Sequence, residues 1–436
     1  MTRKILHAAD IHLDSPLQKL DRYDHAPVQR IRSATRAALR NLTELAISEN
    51  VDLVVIAGDL YDGDWTDQNT GLAFVEQAST LVRAGIPMLV IRGNHDAANL
   101  MTSSLPLPSN PDGSEIFLSH DAAESRFFEP LGIVVHGMSF RSRAEKRNLA
   151  AKYPDPVSGL FNLGLLHTGL EGDSVHGNYA PCTAAQLTDK GYDYWALGHI
   201  HTRADLKIGD GPPIVFSGNI QGRHIREQGE KGCVIIDVDS KNQCEYQFHS
   251  LDVLRWFECQ IDVTAMTQQD EVLDSYQDWI TERLETADGR LLIPRVRLIG
   301  ESPLHMKLHQ NQANLVADLQ AISVAHGAGE VWLEDLRVRT TAPTNRSVSV
   351  DLEGPMESLN HVLRSLGDDE DLPEIITSEL EGLMKKLPKE LRGSDDDAAF
   401  PVDDKQWMSQ LLESATADVM ARMDAAADGH TSEAKR

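Results

Sequence analysis

The sequence predicts an α/β domain, followed by a small α+β domain and a helical, acidic C-terminal region. Three observations lead there. Between Arg3 and about Val238, short apolar runs alternate with longer amphipathic stretches, the rhythm of strands and helices in succession. Beyond Leu251 the order becomes strand, helix, strand, helix, strand, which suits a compact α+β unit. Past residue 350 only helical spacing survives, in an acidic background. The expected limits are 1–252, 253–340 and 350–436. A chain of 436 residues is long enough for this division, since one core seldom grows beyond about 250 to 300 residues.

In the first region the strand candidates are 5–9, 53–57, 87–91, 133–137, 163–167, 194–197, 213–216 and 233–238, with helices over 28–49 and 70–83. Residues 97–129 are rich in Ser, Pro, Asn and Asp without a clear period, and are expected as an extended loop or lid over the site. In the second region strands are expected at 256–263, 291–299 and 331–338, and helices at 267–286 and 306–325. Residues 340–349 read as a linker. Helices follow at 356–366, 373–387 and 405–423, and the last dozen residues are expected to be disordered.

Composition narrows the function classes. With 41% hydrophobic and 25% charged residues, the chain has the make-up of a soluble globular protein, and no apolar run approaches the ~18 residues of a membrane helix. The start, MTRKILHAADIHLDSPL, meets Asp10 and His12 after one short apolar stretch, so it lacks the core of a secretory signal. Cys182, Cys233, Cys244 and Cys259 are scattered, as reduced thiols of a cytoplasmic protein would be. The formal charge is 41 − 67 = −26, which argues against a protein that coats nucleic acid through a basic face. It leaves room for an enzyme that meets phosphates through bound cations.

Five clusters carry chemistry: Asp10-Ile11-His12, Gly58-Asp59-Leu60-Tyr61-Asp62-Gly63, Gly93-Asn94-His95-Asp96, Leu166-His167-Thr168-Gly169 and Gly198-His199-Ile200-His201. Each follows or ends an apolar strand candidate, and in open α/β sheets ligands gather beyond the carboxyl ends of strands. Two-residue spacing in extended chain puts Asp10 with His12, and His199 with His201, on one face. Gly58, Gly93 and Gly198 allow sharp exits from the strands. The ligands offered are imidazole, carboxylate and amide without thiolate, a set that favours Mn, Fe, Zn or a similar divalent ion. Asp10, His12, Asp59, Asn94, His167, His199 and His201 are too many for one ion. With one shared carboxylate they suit two ions ~3.5 to 4 Å apart, a clamp on the attacking and leaving oxygens of a phosphoryl centre.

The order DxH, GDxxD, GNHD, H, GHxH resembles the calcineurin-like metallophosphoesterase superfamily, and specifically its DNA repair exonuclease branch, the SbcD-type nucleases. HAADIHLDSPL, DYWALGHIH and the stretch from Ser217 to His224 are similar to the bacterial YhaO-type group. The resemblance covers roughly residues 3 to 250 strongly and the second domain loosely. It implies a sandwich of β-sheets flanked by helices, and two divalent ions, with Mn2+ the expected metal. One ion would lie on Asp10, His12, Asp59 and His201, and the other on Asp59, Asn94, His167 and His199. His95 would protonate the leaving oxygen, and a hydroxide activated by the two metals would attack. The implied activity is hydrolysis of phosphodiester bonds by a DNA exonuclease or endonuclease in repair. The implied partners are DNA and a coiled-coil ATPase subunit, a homodimer is a further option, and no membrane is involved.

Plainer readings compete at each position. Asp10, His12 and Asn94 could be turn or cap residues, and a single His167 at a strand end could be a satisfied core histidine. His7 and His136 are best read as buried, hydrogen-bonded histidines. Asp62 is read as orienting its own turn and Asp96 as orienting the ring of His95. Arg141, Arg143, Lys146 and Arg147 could be a solvated face or touch a DNA backbone. Arg223 and His224, nearer the motifs, are the candidate substrate contacts. Two other functions stay in view: a small-nucleotide phosphodiesterase or phosphatase sharing the metal site, and a scaffold whose C-terminal helices do the work.

Overall fold

The computed structural model describes residues 2–15, 27–62, 68–97, 106–170 and 179–343, with Ser378 alone beyond them. The tail helices expected at 356–366, 373–387 and 405–423 lie outside the described residues. In chain order the elements are β1 (Arg3–Ala8), α1 (Val28–Arg32), α2 (Ala34–Ser48), β2 (Leu53–Ala57), α3 (Gln68–Arg83), β3 (Met88–Ile91), β4 (Glu124–Phe128), β5 (Ile133–Gly137) and β6 (Phe161–His167). There follow α4 (Ala184–Asp189), β7 (Tyr194–Gly198), β8 (Ala204–Asp205), β9 (Ile214–Phe216), β10 (Gly232–Val238), β11 (Cys244–Ser250) and β12 (Leu254–Asp262). The last are α5 (Asp270–Glu285), β13 (Leu291–Glu301), α6 (His305–Gln310), α7 (Gln312–Gly327) and β14 (Asp335–Thr341).

Two sheets form the body of the first unit. One has the order β11-β10-β1-β2-β3 and the other β4-β5-β6-β7-β9-β8. Strands β1, β2 and β3 run parallel, as do β5, β6, β7 and β9. Period-two alternation in these strands sends each residue to one of two cores. Ile5, Leu53, Val55 and Leu89 meet Ile133, Val135, Leu163 and Tyr194 between the sheets. Leu6, Val54, Ile56 and Val90 face the other way, onto Leu39, Leu42, Phe74 and Leu81 of α2 and α3. On the outer face of the second sheet, Leu166, Trp195 and Phe216 pack with Tyr153 and Leu187. The α/β sandwich flanked by helices is therefore the observed fold.

Some local expectations need correction. Residues 97–129 are not one extended loop. Val90 N donates to Ile116 O at 2.9 Å and Leu118 N to Val90 O at 2.9 Å, and β4 pairs antiparallel with β5. The strand reads ESRFF, too polar to stand out by hydropathy, because it lies at the sheet edge where little of it is buried. The helix expected over 28–49 breaks at Ser33, whose hydroxyl donates to Gln29 O at 2.8 Å. The helix over 306–325 is likewise divided at Asn311.

A second compact unit is made of Cys259–Glu282, Val296–His326 and the described residues from Asp335 to 343. Within it α5 buries Val272, Tyr276 and Ile280 at helical spacing, and Tyr276 bonds Ser323 of α7 at 2.8 Å. Strands β12, β13 and β14 form a three-stranded sheet in that order. No helix among the described residues is long and apolar enough to cross a membrane.

His7 sits inside the sandwich with no exposed surface. Its Nε2 lies 3.2 Å from Leu197 O and its Nδ1 3.3 Å from Tyr194 Oη. Burial lowers its pKa from 6.5 to about 3, because the charged ring would lose its hydration. Below 6.5 the unfolded chain thus binds a proton that the folded chain refuses. The stability contributed by neutral His7 is complete above that value and drains as pH falls toward about 3. We expect unfolding free energies from urea titrations to fall with this component at about 1.4 kcal/mol per pH unit in the window. His7→Gln should remove it, and an identical pH slope in wild type and variant would overturn the account.

Candidate metal centre

The five motifs leave the carboxyl ends of five strands. Asp10 and His12 follow β1, Asp59 follows β2, and Asn94 and His95 follow β3. His167 closes β6, and His199 and His201 follow β7. Because β1, β2 and β3 are parallel to one another, as are β6 and β7, these ends gather where each sheet presents its carboxyl ends. Backbone cross-ties then lock the first two loops together: Asp10 N donates to Gly58 O at 3.0 Å, His12 N to Asp59 O at 3.0 Å and Leu13 N to Leu60 O at 2.9 Å. Asp10 (φ 50°), His12 (44°), Asp59 (50°) and His199 (104°) all occupy the left-handed region. L-residues pay for that conformation, and such strain concentrates where a structure holds side chains for a task.

Among the described residues three groups of donor atoms result, the atoms in each lying within 4.8 Å of one another: Asp10 with His12 and His201, Asp59 with His167 and His199, and His12 with Asp62 and His95; the expected ligands fill the first two. Asn94 joins the second, its Oδ1 3.0 Å from His167 Nε2. All seven expected ligands are thus brought together. Asp10, His12, Asp59 and His167 are buried to 1% exposure or less. Partners fix the ring nitrogens. His167 Nδ1 lies 2.9 Å from the carbonyl of Ala57, which can only accept, so that nitrogen carries the proton. Its Nε2 then faces Asn94 Oδ1 and, at 3.4 Å, Asp59 Oδ2, so positive charge at that nitrogen, a proton or a metal ion, is what the two oxygens favour. His201 Nδ1 similarly donates to Glu227 Oε1 at 2.8 Å, leaving Nε2 pointed at His12 Nε2 across 3.1 Å. Electron-rich atoms aimed at one another in a buried site are satisfied by a cation. Imidazole, carboxylate and amide donors therefore fit the divalent ions expected from the sequence.

The electrostatics agree. Burial raises the Asp10 carboxyl, whereas at Asp59 the imidazoles of His167, His12 and His95 outweigh burial and hold the group below the usual carboxylate range. Burial opposes charge on His167 too, but Asp59 and Asp10 push its pKa up to about 9. His12 goes down to about 3, chiefly through burial.

His95 is set by two acids. Its backbone N donates to Asp59 Oδ1 at 2.9 Å, and its Nδ1 lies 2.7 Å from Asp62 Oδ1. The ring is 40% exposed. The two aspartates exchange the places expected of them. It is Asp62 that orients His95, while Asp96 accepts from the backbone N of Tyr61 at 2.8 Å, Leu60 at 2.9 Å and Gly93 at 3.4 Å, tying two motif loops together. Burial and neighbouring Asp59 raise Asp96 to about 7. Arg223 is only 12% exposed and paired with Glu227, whereas His224 is 53% exposed. Glu227 escaped the sequence reading; its only signal was an acid four residues after Arg223 in a segment without clear periodicity. Tyr179, against His199 with ring centroids 5.3 Å apart, was also missed.

A two-sheet α/β sandwich carrying this donor set at its strand ends defines a phosphoesterase-type hydrolase. Residues 3–203 match the calcineurin-like phosphoesterase family, and residues 256–341 match the middle domain of the metallophosphoesterase YhaO. The Bacillus subtilis metallophosphoesterase YhaO is 31% identical over 335 residues, 76% of this chain and 80% of that protein. Two proteins described as DNA double-strand break repair protein Mre11 are more distant. The one from Sulfurisphaera tokodaii is 27% identical over 249 residues, and the chain spans 59% of its length. The one from Methanopyrus kandleri is 24% identical over 276 residues, with 56% of its length spanned. This chain belongs to the calcineurin-like metallophosphoesterase family.

Gly93 shows how closely the centre is packed. A Cβ there would stand 2.2 Å from Asp59 Oδ1 and 2.8 Å from His167 Nε2, closer than any real contact. Gly93→Ala should therefore displace both donors while the strands stay folded. A displacement near 1 Å in a catalytic site costs about 10²-fold in rate, and metal titration calorimetry should show weakened binding. Wild-type affinity in this variant would refute the packing argument.

Proposed function

We propose that the chain is a metal-dependent DNA nuclease of the SbcD type, an exonuclease or endonuclease acting in DNA repair in the cytoplasm. The observation that carries the reading is the pair of donor groups with half-exposed His95 beside them, backed by Asp62. Asp10, His12, Asp59 and His201 would hold one ion, and Asp59, Asn94, His167 and His199 the other, Mn2+ in each case. Bound there, two such ions supply Lewis acidity and lower the pKa of water toward ~7. The chain's own contribution is positional. Asp59 lies between the two sets, 3.9 Å from His12 Nε2 and 3.4 Å from His167 Nε2. Asp62 takes Nδ1 of His95, so Nε2 is left to hold the proton that the leaving oxygen needs. DNA as substrate is supported by the likeness to the two Mre11 proteins, and a coiled-coil ATPase subunit is the proposed partner. The acidic balance of −26 favours a second reading, a small-nucleotide phosphodiesterase or phosphatase with the same centre.

Purified protein with Mn2+ should degrade linear DNA, and His95→Gln should keep two metals per chain while losing about 10² to 10⁴ in kcat. Hydrolysis of a small chromogenic diester with every DNA substrate left intact would decide for the second reading. Asp59→Asn should abolish binding of the metal pair by calorimetry; two ions retained at wild-type affinity would remove Asp59 from its bridging role.

A further inference from the structure

Arg223 and His224 are the expected substrate contacts, but Arg223 turns its guanidinium inward. Its Nη2 donates to Glu227 Oε1 at 2.7 Å, its Nε lies 3.2 Å from both Glu227 oxygens, and its backbone N donates to Oε2 at 2.8 Å. Its Nη1 lies 3.4 Å from Ser15 Oγ and 3.6 Å from Asp62 Oδ2. Glu227 is itself buried at 5% exposure, with Oε1 also accepting from His201 Nδ1 and Oε2 from Asn219 Nδ2 at 2.9 Å. Asn219 in turn bridges to Ala9, directly before Asp10. Lys231 completes the enclosure by donating to the carbonyl of His201 at 2.9 Å.

The result is an unbroken path. His201 Nδ1 leans on Glu227 at 2.8 Å with Arg223 Nη2 3.2 Å from the same nitrogen, Glu227 leans on Arg223, Arg223 forms an ion pair with Asp62 at 3.6 Å, and Asp62 holds His95. Each imidazole presents one nitrogen to an acid of this path and keeps the other for the centre. A guanidinium is suited to the middle place, because its planar fork can hold one carboxylate on two edges and approach a second from its remaining corner.

We propose, resting on the metal-site reading above, that Arg223 and Glu227 are positioning residues rather than phosphate contacts. Glu227 fixes the tautomer and angle of His201, and Arg223 fixes Glu227 and Asp62 together, so that the ligand His201 and the proton carrier His95 are set by one network whose middle, Arg223 and Glu227, is buried. Removing either member leaves a buried acid or base without its partner and lets His201 turn.

The test is metal binding without DNA. Manganese is titrated by calorimetry into wild type, Arg223→Gln, Glu227→Gln and the double variant. Loss of a carboxylate partner behind a ligating histidine costs roughly 10- to 100-fold in metal affinity. That loss is expected in each single variant, with the double variant no worse than the weaker single because the two act as a unit. Arg223→Lys, which keeps the charge but not the fork, folds more readily and should fall between. A phosphate contact would behave otherwise: Arg223→Gln would bind manganese like wild type, weaken DNA binding, and lower the salt slope of that binding by about one. That result overturns the proposal. So does a variant that unfolds earlier in urea yet binds manganese normally at low temperature, since it reduces the network to a structural brace. Wild type that binds no manganese would instead defeat the metal-site reading beneath it.

Discussion

Two carboxylates, Asp10 and Asp59, lie at the bottom of the centre with 1% exposure each, and the rest of the site is arranged around making that tolerable. A buried carboxylate without partners is costly enough that it would protonate or unfold its surroundings. Here the backbone N of His199 reaches both oxygens of Asp10 at 3.0 Å, and that of His95 reaches Asp59 at 2.9 Å. The His199 bond brings together strand ends of two sheets and the His95 bond those of neighbouring strands in one, and the loops that make them have left-handed backbone at Asp10, His12, Asp59 and His199. The strain is thus borne by a sandwich whose interior is closely packed aliphatic side chains, stiff enough to hold loops in conformations they would not choose.

The same constraint explains which parts of the chain were legible as sequence. Polar residues placed directly after apolar runs stand out because burial there makes no sense without a partner, as at Asp59, His95, His199 and His201; for Asp10, His12, Asn94 and His167 the family resemblance decided between ligand and plain structural residue. The central strands were equally plain, since both faces of β2 and β3 are buried and read as continuous Val, Leu and Ile. Strands β4 and β11 were not, because one is ESRFF and the other CEYQFHS. Their edge positions leave every residue of each strand at best partly buried, and alternation over five or seven mixed residues carries little signal.

Partners distant in sequence were the harder problem. Glu227 meets His201 across 26 residues, Arg223 meets Ser15 across 208, and Asn94 meets His167 across 73. Nothing local marks these pairs. Motif spacing places the ligands because each motif is a strand end, and strand ends are local; the residues that orient them come from wherever the loops return.

Four aspartates in two neighbouring motifs and at the first strand end make the limit concrete. Asp10 and Asp59 are equally buried, yet burial raises the first while imidazoles hold the second low. Asp62, only three residues on, stays ionised, because two histidines and Ser15 outweigh its burial, and it turns outward to His95. Asp96 accepts three backbone amides but stands beside Asp59, so repulsion adds to burial and carries it to about 7. One residue type thus takes four electrostatic roles, decided by which charges face it within a few ångströms. The spacing GDxxD fixes where two of these side chains start; that Asp59 faces the buried donor atoms while Asp62 holds His95 is set by His167 from the opposite sheet, by His12, and by Arg223 from a distant loop.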